Sequence, residues 1–164
     1  MKKSISDIMI KNPITIADNA TVQDAIDLFS YYRIGCLPVV DPAGHLVSFL
    51  SDGDIIAFLA RRTKQQDRIP QIFHATHFSA EDDYKRDEEI VKEMEELSVH
   101  YCATKKVQFA YEDDNLAEIA TLMDNRRLKH VPVVDHEHKL IGLLSRRDII
   151  LAFFDTMVGD QAND

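Results

Sequence analysis

Apolar positions along the chain fall into two matching series. CLPVV (36–40) and LVSFL (46–50) are short apolar runs joined by the Pro/Gly turn DPAGH. This spacing predicts a β-hairpin. HVPVV (130–134) and LIGLL (140–144) repeat it around DHEHK. Ahead of each hairpin, apolar residues recur at helical spacing: Val22, Ala25, Ile26 and Phe29 in one series, Leu116, Ile119, Ala120 and Met123 in the other. Thr21 with Asp24, and Asn115 with Glu118, are the predicted N-terminal caps of these helices. PITIA (13–17) reads as a short strand before the first helix. A final helix follows each hairpin, opening at Ser51 or Ser145 and running through DIIAFLARR or DIILAFF.

The two series superimpose at an offset of 94 residues, and from Leu37 to Ile56 ten of twenty positions are identical. The match extends back to Ile5/Val99 without a gap and includes Arg33/Arg127. Two copies are too few for a solenoid and predict a pseudo-twofold pair. The expected organisation is a first repeat in 1–60, a connector in 61–98, a second repeat in 99–154 and a tail in 155–164. The fold class is α/β (α+β), with tandem βαββα repeats packed about a pseudo-twofold axis. Within the connector, RRTKQQDR and SAEDDYKRDEE read as solvated. Ile90, Met94, Leu97 and Tyr101 form one helical stripe, expected to pack on the second repeat.

Composition narrows the class. Apolar residues make up 45% and charged residues 29%, which are globular proportions. No apolar run approaches the length of a membrane span, and MKKSISDIMIKNP lacks the apolar core of a signal peptide. Two cysteines, Cys36 and Cys102, fit a reducing, cytoplasmic setting. Net charge is −9, at −3 in each of 1–60, 61–98 and 99–164. Nucleic acid, which needs a basic face, is not an expected partner.

Ser-x-x-Asp opens both final helices, as Ser51–Asp54 and Ser145–Asp148. The pattern is a capping box by itself. The same hydroxyl, carboxylate and free helix N–H groups also suit a ribose and phosphate. His136-Glu137-His138 and His74-x-x-His77 lack the frame of a metal site and read as solvated histidines. Cys36 reads as a packed thiol.

PVVD, a hairpin and LLS-x-x-DI, twice in one chain, resemble the paired cystathionine-β-synthase-type (CBS) domains known as a Bateman module. The resemblance implies clefts between the repeats that bind AMP, ADP, ATP or S-adenosylmethionine as regulatory ligands, with no required cofactor. It implies ribose held by Ser-x-x-Asp of one repeat and adenine sandwiched by the other. One cleft would then use Ser145 and Asp148 with Pro13, Ile14, Ile34 and Gly35. The second would use Ser51 and Asp54 with Val107, Gln108, Leu128 and Lys129.

The repeats differ in charge beside these groups. Arg147 (with Arg146) follows Ser145 and is expected at phosphate, whereas Asp52 and Gly53 follow Ser51. Lys129 and His130 face the Ser51–Asp54 cleft by the cross-repeat rule. Ser48 stands where the second repeat has Gly142, and Gln108 is polar at an apolar contact. On these grounds Ser145–Asp148 is the expected better site. The expected function is a non-enzymatic adenosine-ligand sensor acting on a separate effector protein. Four residues before Ile5 and ten after Phe154 suggest a stand-alone module. A homodimer is expected through Phe58, Phe153 and Phe154. The alternatives are a nucleotide-free scaffold and a metal-dependent phosphohydrolase.

Overall fold

The computed structural model describes residues 4–66 and 92–161. In chain order the first half holds α1 (Ile5–Ile8), β1 (Ile10–Lys11), β2 (Ile16–Ala17), α2 (Val22–Tyr32), β3 (Cys36–Val40), β4 (Leu46–Ser51) and α3 (Asp52–Gln66). The second half holds a short helix α4 (92–96), a 3-10 turn at Val99–Tyr101, β5 (Ala110–Tyr111), α5 (Leu116–Asn125), β6 (His130–Val134), β7 (Leu140–Ser145) and α6 (Arg146–Gln161). Each repeat is therefore βαββα. Only Ile16 and Ala17 of the PITIA segment pair as strand.

Local chemistry explains the elements. Thr21 closes a capping box with Asp24, whereas Asn115 caps α5 by accepting from Ala117 N–H. Both hairpin turns are tied by their leading aspartate. Asp41 Oδ1 accepts from Ala43 and His45 N–H, and Asp135 Oδ1 from Glu137 and Lys139 N–H, all at 2.9 Å. At the place of Gly44 (φ 88°) the second turn has His138, which adopts the same left-handed backbone at φ 66°.

Two mixed sheets result, ordered β2-β3-β4 and β1-β7-β6-β5. Their hairpin ends meet reciprocally. Leu46 N–H donates to His138 O at 3.2 Å, and Leu140 N–H to Gly44 O at 3.0 Å. These bonds exchange under the 94-residue offset, which is the mark of a pseudo-twofold axis. The cores match likewise: Ala25, Leu37, Val39, Leu50 and Ile55 in one, Ile119, Val131, Val133, Leu144 and Ile149 in the other. Each such Val, Leu or Ile side chain stabilises the fold by about 1.5–3 kcal/mol.

The segments that lead into each repeat cross over. Strand β1 pairs antiparallel with β7, Ile10 opposite Leu143. Its counterpart places Thr104 opposite Phe49. Ile5 is buried in the second core, and Val99 in the first. This corrects the expected docking of the connector stripe. Met94 and Leu97 pack on the first repeat, not the second. Leu97 O accepts from Val22 N–H at 2.7 Å, and this bond fixes α4 beside α2. Tyr101, expected on that stripe, is 72% exposed. Ile90 and the charged stretch of 79–89 lie outside the described residues.

Candidate functional site

The strand-to-helix junctions of the two repeats have nearly identical geometry. Ser51 N–H and its hydroxyl donate to Asp54 Oδ2 at 2.8 and 2.6 Å, and Asp54 N–H donates to Ser51 Oγ at 3.3 Å. At Ser145–Asp148 the distances are 2.8, 2.7 and 3.3 Å. Both sets are closed capping boxes. In each, one carboxylate oxygen is used by the cap, and the other takes no hydrogen bond from the described residues. That second oxygen can accept from a ligand hydroxyl.

A cavity of about 550 Å³ opens in front of Ser51 and Asp54, within the usual range for small-molecule pockets. Val107, Gln108, Leu128, Lys129 and His130 line it from the second repeat. The seven residues named from sequence for this cleft are thus brought together. Gly35, expected at the other cleft, stands on this cavity's wall. Its carbonyl accepts from Asp52 N–H at 3.0 Å. A Cβ at position 35 would lie 3.0 Å from Asp52 Oδ2, so glycine leaves space for that carboxylate.

Sequence reasoning missed five lining residues: Phe49, Thr104, Lys106, Arg127 and Pro132. Thr104 and Lys106 arrive because the second lead-in crosses to β4, an event that periodicity does not announce. Arg127 ends the turn after α5 with a left-handed backbone, φ 53°. Arg33 holds the same place in the first repeat at φ 54°. Their coincidence in the repeat was the available signal.

Charge in this cleft differs from a simple acidic reading. Asp52 Oδ1 accepts from Gly53 N–H at 2.7 Å, which turns that carboxylate toward its own helix. Lys106, Arg127 and Lys129 line the same space. His130 is half-buried, and desolvation lowers its pKa, with Lys129 adding to the shift against Asp148 and Asp52. Burial, with Asp52 nearby, raises the Cys36 thiol to about 11. Burial also raises Cys102. Neither thiol is poised for nucleophilic attack.

The mirror cleft is arranged differently. Arg146 donates Nε–H to Leu128 O at 2.6 Å, so its guanidinium is partly committed to the backbone. Arg147 is exposed. Ile14 is 36% exposed, Pro13 is partly buried, and Ile34 packs against the first core. Gly142 lies against Met9: an added Cβ would overlap the Met9 side chain and sit 3.3 Å from Ile10 O. Its counterpart Ser48 is fully buried, and its hydroxyl has no hydrogen-bond partner.

Among the described residues no three His, Cys, Asp or Glu side chains group as a metal site. His136 lies 3.7 Å from Asp113 and stacks on Tyr111, while His74 and His77 lie outside the described residues. No helix among the described residues is long and apolar enough to cross a membrane.

The family model for the CBS domain matches residues 5–61 and 88–155. The chain belongs to the CBS-domain family. The CBS pair is 32% identical over 151 residues to an uncharacterised protein, MJ1426, of Methanocaldococcus jannaschii, covering 90% of this chain and 89% of that one. It is 29% identical to inosine-5'-monophosphate dehydrogenase of the same organism, over 90% of this chain but only 23% of the enzyme. Its fold matches CBSX2 in complex with AMP (TM-score 0.68, 21% identity, 94% and 98% of the two chains). It also matches the CBS pair of MJ0100 in complex with 5-methylthioadenosine and S-adenosyl-L-methionine (TM-score 0.69, 23% identity, 95% and 99%).

Proposed function

We propose that this CBS pair is a regulatory, non-catalytic module. It binds an adenosine-containing ligand (AMP, ADP, ATP or S-adenosylmethionine) in the clefts between its repeats and passes occupancy to a separate effector protein in the cytoplasm. One observation carries the reading. The Ser51–Asp54 box of one repeat and Val107, Gln108 and Leu128 of the other share one cavity. A carboxylate oxygen left over by the cap stands ready for ribose, while apolar walls suit a purine. The mirror cleft would use Ser145, Arg147 and Asp148 with Pro13, Ile14 and Ile34. Relatives of the same fold in complex with AMP and with S-adenosyl-L-methionine support the ligand class.

Signalling requires that the ligand favour one of two states of the module. A homodimer would supply the second surface. Ile56, Ile150, Leu151 and Phe154 on the final helices are 51–65% exposed, whereas Phe58 is partly buried on the first core. Light scattering at micromolar protein should give twice the chain mass; a concentration-independent monomer would remove the dimer.

A scaffold reading draws on the closed capping boxes, which need no ligand to be satisfied. A thermal-shift panel of AMP, ADP, ATP, adenosine and S-adenosylmethionine separates the two. A ligand that binds only the folded chain raises Tm by mass action. No shift with any of the five would leave the scaffold.

A further inference from the structure

We propose that three cation doublets of the second repeat, Lys105–Lys106, Arg126–Arg127 and Arg146–Arg147, form a docking surface for a short acidic segment of a partner protein. This rests on the reading that the module acts on a separate effector, and it names the chemistry of that contact.

The doublets lie far apart in sequence, and the fold gathers them. Lys106 and Arg127 stand on the wall of one cavity. Arg146 Nε–H donates to Leu128 O at 2.6 Å, and Arg146 backbone N–H to Lys129 O at 3.1 Å. These bonds seat the start of α6 against the turn that carries Arg126 and Arg127. All six side chains are exposed, and among the described residues none of them makes an ion pair. Lys139, by contrast, is paired with Glu137 at 2.8 Å. Of the carboxylates beside the doublets, Asp148 is closed into the Ser145 cap. Asp124, two residues before Arg126, makes no ion pair with it among the described residues.

The first repeat serves as an internal control. At the same six places it has Lys11, Asn12, Tyr32, Arg33, Asp52 and Gly53. Its backbone is closely similar there, with Arg33 and Arg127 at φ 54° and 53°, so the fold itself does not call for the cations. The chain carries a net charge of −9, and gathering six cations on one face leaves the rest more acidic still. Such a face attracts anions over a chain that otherwise repels them. Extent then selects the kind of anion. A long polyanion such as RNA would run off the doublets onto acidic surface, whereas a short run of Asp or Glu would not. Each guanidinium can take a carboxylate in two parallel hydrogen bonds, and each ammonium meets one as a point charge.

The test is fluorescence anisotropy of a labelled 20-residue polyglutamate titrated with the full chain at one fixed ionic strength near 0.1 M. The wild type should bind saturably despite its net negative charge. Lys105→Glu/Arg126→Glu reverses two charges outside the cavity lining. An exposed ion pair is worth up to about fivefold in affinity, so this variant should bind polyglutamate on the order of tenfold or more weakly. Lys11→Glu/Arg33→Glu makes the same change of charge in the first repeat and should stay within about threefold of wild type. Thermal melting confirms that both variants fold. Absence of polyglutamate binding by the wild type would overturn the docking surface, as would equal losses in the two variants. A polyuridylate 20-mer that binds the wild type tenfold more tightly than polyglutamate would also overturn it, in favour of nucleic acid. Adenosine titrated into the same samples reports separately on the functional reading.

Discussion

Asp54→Ala separates a carboxylate that only caps a helix from one that also holds a ligand. In the free chain Asp54 Oδ2 accepts from Ser51 N–H at 2.8 Å and from Ser51 Oγ at 2.6 Å. Alanine removes both bonds and leaves a half-buried N–H without that partner. Cap loss costs about 1 kcal/mol, within a range of about 0.5–2. For a chain of this size that lowers Tm by about 2–4 °C per kcal/mol. Binding draws on the other oxygen. A carboxylate that accepts from ribose hydroxyls contributes about 1.5–3 kcal/mol, so affinity for adenosine should fall by about ten- to one-hundred-fold or more. The assay pairs thermal melting with calorimetric titration of adenosine below the variant's Tm. Adenosine, lacking phosphate, keeps the measurement independent of the cations that line the cleft. Asp148→Ala should show the same two effects at the mirror cleft. A variant that melts lower but binds adenosine with wild-type affinity would reduce the Asp54 carboxylate to a helix cap and refute the reasoning.

Three further outcomes follow from the packing and the charges. His130 has a folded-state pKa below its ordinary value, so the folded chain binds fewer protons there than the unfolded chain. Stability from this group is then fully present above about pH 6.5 and falls as pH drops toward the folded pKa; chemical denaturation from pH 7.5 to 5 should show this slope, and His130→Gln should flatten it. Met94→Ala should destabilise by about 2–5 kcal/mol, because Met94 is 7% exposed within the first core; an unchanged denaturation midpoint would place α4 elsewhere. Gly142→Ala should destabilise by about 1–3 kcal/mol through overlap with Met9; Ser48→Ala, which removes a buried unpartnered hydroxyl, should leave Tm unchanged or raise it.

The elements were legible in sequence where local chemistry decides them. Asp41 and Asp135 clasp the hairpins, Thr21 and Asn115 start the first helices, and Ser-x-x-Asp starts the last ones. The resemblance to paired CBS domains, rather than the repeat alone, implied the cross-repeat arrangement of Ser51 and Asp54 with Val107 and Leu128. What periodicity does not encode is which of two similar cores an apolar face will join. Ile5 and Val99 exchange cores, and Met94 follows Val99 rather than the repeat after it. Lys106 and Arg127 were hidden for a related reason. Both lie outside the periodic apolar pattern, and the crossing of the lead-in to β4 and the left-handed backbone at Arg127 bring them to one cavity. Ser48 in place of Gly142 is explained in part by the mirror of Met9 being Ala103, the smaller side chain.

The central claim, that the inter-repeat clefts hold an adenosine-containing ligand through their Ser-x-x-Asp boxes, is tested most directly by one calorimetric comparison. AMP is titrated into the wild type and into the folded Asp54→Ala/Asp148→Ala double variant at the same temperature. The account predicts saturable binding to the wild type, weakened by about one-hundred-fold or beyond detection in the double variant. Wild-type affinity retained by the double variant would contradict it, as would the absence of saturable binding to the wild type.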